Sequence, residues 1–393
     1  MNKPKKILMA CCNFWHTPFQ VGSHQLARGF IKAGWQVGFV SDPVSPLHLL
    51  GSRDPAIRER LALHRSKGEW LEDGRLWTYV PGALFTPHNK PLLRSPWAHR
   101  NWQRFTLPGL AGHIRRNGFG EVDLLYVDSV FLSYLRNSIS HRHSVFRVAD
   151  LLSGFDRTTP VMEQMERELA SSVDMVIYSA TNLAGHVNAM SPRRTMHLPN
   201  GVNYAHFQRP PGPEPAELAA IPRPRAIYVG AIYEWFDFDL MNRAAAALPD
   251  VSFVMIGNTE TARRRLEPRP NLHLLGPRPY AQLPDYLYRC DMGIIPFNAT
   301  GYRELIENVN PLKLLEYMAC GLPVVSIRWK ELERLASPAV LCDSPEEFVG
   351  AIGKLAADGA PADSAPAEKL KAYARGHDWQ SRVEALLAGL GLN

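Results

Sequence analysis

The chain has 393 residues, of which 46% are hydrophobic and 21% charged, and its formal net charge is +6 at pH 7. This length suffices for two domains of ordinary size, each with a core of its own. No apolar run approaches the ~18 residues of a membrane-spanning helix, and the first one, residues 7–12, is too short for the apolar part of a signal peptide. The five cysteines form no CxxC spacing, which argues against a zinc site and a disulfide framework. We therefore expect a cytoplasmic protein.

Positive charge is concentrated in the first half of the chain. Residues 1–200 contain 24 Lys and Arg against 15 Asp and Glu, whereas the remainder contains 20 against 23. Part of this excess mixes guanidinium groups with large aromatic rings: Arg94, Trp97, Arg100, Trp102, Arg104, Phe105, Arg115 and Arg116. Such a mixture suits an anionic membrane surface or a lipid-diphosphate acceptor, and nucleic acid could use the same chemistry. It is equally compatible with a solvated surface whose aromatic rings turn into the core.

Apolar runs typical of strands recur along the chain with helical segments between them. The first series occupies residues 7–12, 35–41, 124–128, 145–149 and 175–179, with Arg28 on a helix between the first two. Residues 196–201 predict a further strand and a turn. After a proline-rich stretch at 210–224, a second series occupies residues 226–230, 252–256, 272–275, 292–296 and 324–327. This alternation predicts an α/β fold with two Rossmann-like domains. We expect them at residues 1–200 and 201–375, followed by a C-terminal helix at 376–393 that Asp378 can cap.

The loop after the first strand of the second series is a candidate ligand loop. Gly230 allows a tight turn that brings backbone N–H groups near a phosphate or a sugar, and Ala231 and Ile232 keep that approach uncrowded. A tight connection without a ligand is the alternative. Glu234 and Asp237 could bind sugar hydroxyls or cap the next helix, and capping is favoured for Asp237.

Residues 310–325 predict a helix whose start is ready to bind an anion, followed at once by a buried strand. Asn310 can cap the helix, Pro311 suits its first turn, and Gly321 can end it. The free N–H groups and the helix dipole then attract an anion. Lys313 and Glu316 are three residues apart and share one face, so one could hold phosphate and the other ribose hydroxyls. The alternative is an ordinary surface lysine and glutamate.

The segment 310–325 resembles the donor-binding helix of GT-B glycosyltransferases, especially the large family-four group and the glucuronosyltransferases of bacterial, xanthan-type exopolysaccharide assembly. Four further stretches share the resemblance in the expected order: residues 199–203, 230–237, 275–280 and 291–297. In the first half it is thinner and depends on residues 16–18 and 147–150. The resemblance implies a GT-B fold, with two Rossmann-like domains facing across a cleft and a C-terminal helix crossing back to the first. The first domain would bind the acceptor and the second the nucleotide sugar.

The resemblance also implies a donor, an acceptor and the residues that hold them. The donor would be a nucleoside-diphosphate sugar, with UDP the favoured nucleotide, bound by Gly230, Ala231, Ile232, Glu234, Tyr280, Asn310, Leu312, Lys313 and Glu316. The acceptor would be a glycan or a lipid-linked molecule contacted by His16, Thr17, Arg100 and Trp102, at the inner face of the cytoplasmic membrane. We expect no nucleic-acid partner and no cofactor. We also expect no metal, although Asp237 and Asp239 form a DxD pattern, because Lys313 and the helix dipole can serve the diphosphate.

Asp150 is the candidate general base, because it ends an apolar strand of the acceptor domain. The resemblance implies the same role, since an aspartate is the base at the matching motif position of the glucuronosyltransferases that the chain resembles. Asp150 could instead cap the segment that begins at Leu151. Retaining family-four enzymes have two glutamates separated by seven residues, and with Glu316 as the second, Asn308 occupies the first position. Glu304 and Glu307 are nearby but at the wrong spacing. We therefore predict an inverting reaction in which Asp150 is the base and Lys313 stabilises the leaving diphosphate.

The predicted function is transfer of a sugar from a nucleoside diphosphate in the assembly of a polysaccharide or glycoconjugate. Three alternatives stay open at this point. The enzyme could be a retaining glycosyltransferase of the family-four type, a GT-B nucleotide-sugar 2-epimerase that needs no acceptor, or a non-catalytic module that binds sugar nucleotides or membranes.

Overall fold

The computed structural model describes residues 4–48, 55–359 and 365–392. The chain divides into two compact units. The first unit comprises Met1–Thr17, Val21–Pro199 and Val383–Asn393, and the second comprises Pro18–Gln20 and Asn200–Arg382. Over the ranges described, no helix combines the length and the apolar character that crossing a membrane requires.

The first unit is built on an eight-stranded sheet with the order β3-β4-β2-β1-β5-β6-β7-β8. All neighbouring strands are parallel except β3 and β4. The central strands are apolar along their length because helices cover both faces of a parallel sheet. The strands are β1 (Lys6–Cys11), β2 (Gln36–Ser41), β3 (Glu69–Leu71), β4 (Leu76–Tyr79), β5 (Glu121–Val127), β6 (Ser140–Val148), β7 (Met175–Tyr178) and β8 (Thr195–His197).

The second unit is built on a six-stranded parallel sheet with the order β11-β10-β9-β12-β13-β14. From β9 the chain proceeds to β10 and β11 on one side, and it then returns to β12, β13 and β14 on the other. The switch point therefore lies between β9 and β12, and ligands of open α/β sheets bind at the carboxyl ends of the strands at such a point. The strands are β9 (Arg225–Val229), β10 (Ser252–Ile256), β11 (Leu272–Leu274), β12 (Met292–Ile295), β13 (Val324–Ile327) and β14 (Val340–Cys342).

Helices connect the strands in both units. Those of the first unit are Gly22–Lys32, Pro55–Arg65, Pro96–Asn101, Leu110–Ile114, Leu135–Ser138, Pro160–Ser172 and Ala184–Ala189. Those between β8 and the last helix are Tyr204–Phe207, Ala216–Ala219, Phe238–Ala247, Thr259–Arg265, Leu283–Leu287, Arg303–Ile306, Leu312–Ala319, Lys330–Arg334, Pro345–Asp358 and Ala365–Arg375. Short 3₁₀ turns occur at Trp102–Phe105, Val130–Leu132, Leu152–Gly154, Thr181–Leu183 and Tyr280–Gln282, and one π turn at Arg115–Phe119.

The last helix, Trp379–Leu390, begins in the second unit and ends in the first. Asp378 caps it as predicted, since its carboxylate accepts a hydrogen bond from the Gln380 amide at 2.8 Å. Near the other end of the helix, the Arg194 guanidinium donates to the carbonyl of Gly389 at 2.8 Å. The final residues are thereby bound to the segment that leads into β8.

All ten strands that the apolar runs predict are present, with ends shifted by a few residues. The strand expected with a turn at residues 196–201 is β8, whereas the sequence did not predict β3, β4 or β14. These strands have only three or four residues, so they are too short to show a periodic pattern. The alternation of apolar runs therefore identified the two sheets but missed three of their short strands.

Candidate functional site

The helix Leu312–Ala319 lies at the switch point of the second sheet and buries most of its side chains. Lys313 and Glu316 are half-buried on its remaining face. Gly321 follows with φ of +76°, and its amide donates to the carbonyl of Met318 at 2.9 Å. This left-handed glycine ends the helix, as predicted.

Asn310 does not cap this helix, and that prediction is wrong. The N-cap is Pro311, which makes no side-chain cap hydrogen bond. Asn310 is buried one residue earlier, where its side-chain amide donates to Glu331 at 3.4 Å and its carbonyl accepts from the Asn200 amide at 2.7 Å. No side-chain cap therefore occupies the first-turn amides, which is the arrangement that binds anions at helix starts.

Lys313 lies against the loop that follows β9. A β carbon at Gly230 would stand 3.2 Å from Lys313 Cε and 3.4 Å from its Nζ. The ammonium is 4.7 Å from the ring centre of Phe297 and 5.2 Å from that of Tyr228. Such cation–π contacts are each worth about 0.5–2 kcal/mol. They hold the cation at the carboxyl ends of β9 and β12.

The backbone of the loop after β9 is fixed by neighbouring side chains. Gly230 has φ of +143°, a conformation that favours glycine. The Tyr228 hydroxyl donates to the carbonyl of Ala231 at 2.7 Å. The Ile232 amide donates to Asn258 at 2.7 Å, and the Asn258 amide donates back to the Ile232 carbonyl at 3.1 Å. A β carbon at Gly257 would stand 2.1 Å from the Gly230 carbonyl oxygen, so the loop requires a glycine there too.

These contacts correct the prediction for Ile232. Its side chain is fully buried and its amide is already bonded to Asn258. It therefore positions the loop and does not offer its N–H to a ligand. Gly230 and Ala231 remain the loop residues next to the Lys313 ammonium.

Glu316 sits one turn deeper than Lys313. Burial raises the pKa of Glu316 to about 7, and the positive charge of Lys313 opposes that rise. Near neutral pH this group is thus divided between a carboxylate that accepts hydrogen bonds and a carboxylic acid that also donates one. Both forms can bind sugar hydroxyls.

Tyr317 attaches the helix to the sheet beneath it. Its hydroxyl accepts a hydrogen bond from the Val229 amide at 2.7 Å. Its ring fills the space above Gly293, where a β carbon would stand 2.2 Å from Tyr317 Cδ2. The helix that carries Lys313 and Glu316 is therefore held directly on β9 and β12.

The other predicted donor residues have different surroundings. The half-buried Tyr280 stacks on His206, with ring centres 4.6 Å apart and planes at 15°. Leu312 is half-buried at the helix start, and Glu234 is exposed. Asp237 caps the helix Phe238–Ala247, as predicted, because its carboxylate accepts from the Leu240 amide at 2.9 Å.

The described part of the chain contains no group of three or more His, Cys, Asp or Glu arranged to hold a metal.

Upstream of the helix, the Glu307 carboxylate is engaged by two cations. Glu307 pairs with Arg303 at 3.1 Å and with Lys330 at 3.0 Å. Although burial acts in the opposite direction, these two cations hold the pKa of Glu307 below its usual value. Asn308 donates from its side-chain amide to the carbonyl of Glu304 at 2.7 Å.

In the first unit, Asp150 follows β6 and is exposed. The 3₁₀ turn Leu152–Gly154 begins after Leu151, which is its N-cap. Asp150 is therefore not the cap of that turn, and this alternative is wrong. It interacts electrostatically with the buried Arg147 of β6.

The predicted acceptor residues differ in exposure. His16 is exposed and contacts the carboxylate of Glu69, while Thr17 is half-buried. Arg100 makes a two-pronged ion pair with Glu168, with N···O distances of 2.7 and 3.0 Å. Trp102 is fully buried and packs edge-to-face on another core ring. The prediction that Trp102 contacts an acceptor is therefore wrong, because its ring belongs to the core.

The sequence did not single out two aspartates at the carboxyl ends of β2 and β5. Asp42 accepts from the Ser129 hydroxyl, and Asp128 accepts from the Ser23 hydroxyl and, at 2.7 Å, from the Cys12 amide. Burial raises the pKa of Asp42 to about 7 and also raises that of Asp128. Asp42 comes directly after a predicted strand, and Asp128 is the last residue of another. The rule that ligands bind at the carboxyl ends of parallel strands could therefore have identified both residues from the sequence.

Two family models match the chain. Residues 9–179 match the model described as the N-terminal domain of the glucuronosyltransferase GumK, and residues 223–358 match the model described as glycosyl transferases group 1. A Bacillus subtilis (strain 168) protein, TuaH, assigned to teichuronic acid biosynthesis as a glycosyltransferase, is 27% identical over 256 residues. That match covers 62% of this chain, and the chain spans only 63% of the length of this relative.

Solved structures resemble the whole chain. Sucrose-phosphate synthase from Thermosynechococcus elongatus has a TM-score of 0.70 at 16% identity, with 97% of both chains covered. Anabaena HepE in complex with UDP has a TM-score of 0.62 at 16% identity, and its complex with UDP-glucose has 0.61 at 16%. Each covers 98% of this chain and 99% of HepE. At these identities the likeness shows the fold, and the predicted GT-B class with its two parallel-sheet units is confirmed.

Proposed function

We propose that this chain transfers a sugar from a UDP-sugar to a glycan or lipid-linked acceptor, because it belongs to the GT-B glycosyltransferases and resembles the glucuronosyltransferase GumK. The reaction would serve the assembly of a bacterial polysaccharide or glycoconjugate in the cytoplasm, at the inner face of the membrane. The HepE complexes with UDP and UDP-glucose support the choice of donor.

One observation carries the proposal: the Lys313 ammonium is fixed beside Gly230 at the switch point of the second sheet. The adjoining helix start has no side-chain cap. A diphosphate bound there would contact a cation together with the backbone amides of the helix start. Both interactions strengthen as negative charge develops on the leaving UDP, so they stabilise the transition state more than the bound donor.

The other donor contacts follow from the same geometry. Glu316 would bind the ribose hydroxyls, and the amide of Ala231 would approach the diphosphate beside Gly230. Leu312, Glu234 and Tyr280 would border the donor. Asn310 and Ile232 would hold the helix start and the loop in place, because both are engaged by other residues.

We assign the role of general base to Asp150. It would take the proton from an acceptor hydroxyl as the oxygen attacks the anomeric carbon, while the bond from that carbon to UDP breaks. This single displacement inverts the configuration at the anomeric carbon. Two features favour inversion over retention. Glu307 is paired with two cations, and Asn308 occupies the position at which retaining family-four enzymes have the first of their two glutamates. His16, Thr17 and Arg100 would border the acceptor.

Acceptor-dependent release of UDP tests the proposal. We would incubate the purified protein with UDP-sugars and a bacterial lipid-linked glycan extract, and measure UDP together with the labelled product. Lys313→Ala should lose transfer at least about a hundredfold, whereas Lys354→Ala, which removes an exposed cation of the same unit, should stay close to wild type. Turnover of Lys313→Ala at the wild-type rate would refute the assignment.

The same assay separates the alternatives. An isomerised UDP-sugar formed without acceptor would indicate a 2-epimerase. Donor binding without hydrolysis or transfer would indicate a non-catalytic module. Analysis of the anomeric configuration of the product by NMR distinguishes inversion from retention.

A further inference from the structure

We propose that Tyr233, Glu234 and Trp235 form a subsite for the sugar ring of the donor, beside the position of the diphosphate at Lys313. We call these three residues the sugar subsite. The inference rests on the proposed function, because it takes the ligand of the second unit to be a nucleotide sugar.

The sugar subsite exposes an aromatic ring and a carboxylate next to each other. Tyr233 is 40% exposed, Glu234 is exposed and Trp235 is half-buried. Among the residues described in the second unit, Tyr233 and Val340 are the exposed large hydrophobic residues, and only Tyr233 is aromatic. The rings of Tyr233 and Trp235 pack edge to face, with centres 5.2 Å apart and planes at 64°. An exposed aromatic residue can be incidental by itself, so its position in the fold decides what it does.

Backbone hydrogen bonds fix the turn that carries the sugar subsite. The Phe236 amide donates to the carbonyl of Tyr233 at 3.0 Å, which closes the turn. The Asn298 backbone amide donates to the carbonyl of Trp235 at 2.8 Å and so ties the turn to the segment that follows β12. A side chain on a backbone that is already fixed loses less conformational freedom when a ligand binds, and this favours affinity.

The turn adjoins the place proposed for the diphosphate. Phe236 forms a backbone bridge with Phe297, and the ring centre of Phe297 is 4.7 Å from the Lys313 ammonium. At the other end of the same loop, a β carbon at Gly230 would stand 3.4 Å from Lys313 Nζ. The loop therefore borders Lys313 at both of its ends. In a nucleotide sugar the sugar ring is bonded directly to the distal phosphate, so a phosphate at Lys313 places the ring beside this loop.

The chemistry of the sugar subsite matches a pyranose ring. Such a ring has C–H groups on its faces and hydroxyl groups around its edge. An aromatic side chain packs against the C–H face, and a carboxylate accepts hydrogen bonds from the hydroxyls. Residues 226–242 contain Glu234, Asp237 and Asp239 and no Lys, Arg or His. The loop thus offers acceptors and no cation of its own, which suits hydroxyl groups and does not suit a further phosphate.

Calorimetric titration of the full chain with UDP, UDP-glucose and UDP-glucuronate tests the inference. The measured quantity is the Kd of each nucleotide sugar divided by the Kd of UDP, because this ratio cancels the contacts of the nucleotide. Tyr233→Ala should raise the ratio about threefold to tenfold for the nucleotide sugar that wild type binds more tightly, because the sugar loses the ring on which it packs. Glu234→Ala should raise the ratio as well. The Kd of UDP itself should stay at the wild-type value in both variants.

Two further variants separate a sugar subsite from a general effect of losing an aromatic residue. Tyr233→Phe keeps the ring and should keep the wild-type ratio. Trp70→Ala removes an aromatic side chain of similar exposure, 44%, from the first unit, and it should also keep the wild-type ratio. Unchanged thermal unfolding of the Tyr233 and Glu234 variants shows that they are folded.

The results that would overturn the inference differ from those that reject the proposed function. If wild type binds UDP and a nucleotide sugar but Tyr233→Ala leaves the ratio unchanged, the sugar subsite is wrong and the proposed function stands. An altered acceptor KM in Tyr233→Ala, with an unchanged ratio, would likewise overturn the assignment to the donor sugar. If wild type binds none of the three nucleotides, the proposed function and the sugar subsite are both wrong.

Discussion

Gly230 and Lys313 are 83 residues apart in the chain, yet the lysine side chain passes within van der Waals reach of the glycine, so that a β carbon there would stand 3.2 Å from Lys313 Cε. The loop that would approach a diphosphate and the cation that would neutralise it therefore occupy one place. A side chain at position 230 would therefore crowd that of Lys313.

Gly230→Ala should weaken UDP binding about tenfold or more, with a loss of stability of about 1 kcal/mol. The added methyl group meets Lys313, and alanine is strained at φ of +143°. Calorimetric titration with UDP and urea denaturation would measure the two effects. Gly350→Ala is the matched control, because nothing lies within 4 Å of its added carbon on a helix, and it should raise stability slightly. UDP affinity unchanged in Gly230→Ala would contradict the contact.

Tyr317→Phe should destabilise the protein by about 1–3 kcal/mol. The substitution leaves the buried Val229 amide without its acceptor, and an unpaired buried donor costs more than the hydrogen bond itself gained. Urea denaturation gives the free energy of unfolding. For comparison, Tyr373→Phe removes a hydroxyl that donates to the carbonyl of Leu335 at 2.7 Å in a half-buried position, where water can replace it. If Tyr317→Phe lowers the free energy of unfolding no more than Tyr373→Phe does, the Val229 amide has found another hydrogen-bond acceptor.

Glu316 should make the stability of the protein depend on pH between about 5 and 7. Burial raises the pKa of Glu316 from 4.5 to about 7, so the folded state binds a proton that the unfolded state releases in this window. The stabilisation is complete below pH 4.5 and is lost as pH rises through 7, on the order of 1–3 kcal/mol. Urea denaturation of wild type and Glu316→Gln across this range isolates the effect from that of Asp42, which titrates in both proteins. A difference between the two proteins that does not vary with pH would exclude it.

Asp150→Asn should reduce transfer by a factor of about 10²–10⁴ without changing the affinity for UDP, since the variant keeps its size but cannot accept a proton. The steady-state rate with saturating donor measures the first quantity and calorimetry the second. Asp156→Asn, at an exposed carboxylate of the same unit, should transfer normally. If Asp128→Asn loses the reaction and Asp150→Asn retains it, the buried pair Asp42 and Asp128 contains the base.

The sequence by itself determined the two sheets and the end of the helix Leu312–Ala319, because long apolar runs are buried and a glycine such as Gly321 adopts the left-handed conformation that ends a helix. The capping by Asp237 and Asp378 was equally local. Each of these features depends on residues that are neighbours in the chain.

Only the tertiary structure decided which side chains are available at the site, because availability depends on partners that are distant in the chain. Asn310 is drawn away from the helix start by Asn200 and Glu331, and Ile232 is bonded to Asn258. Trp102 and Trp97 have the same side chain and nearly the same position in sequence, yet one is in the core and the other on the surface. Burial and hydrogen bonding between remote residues carry this information, and no local pattern contains it.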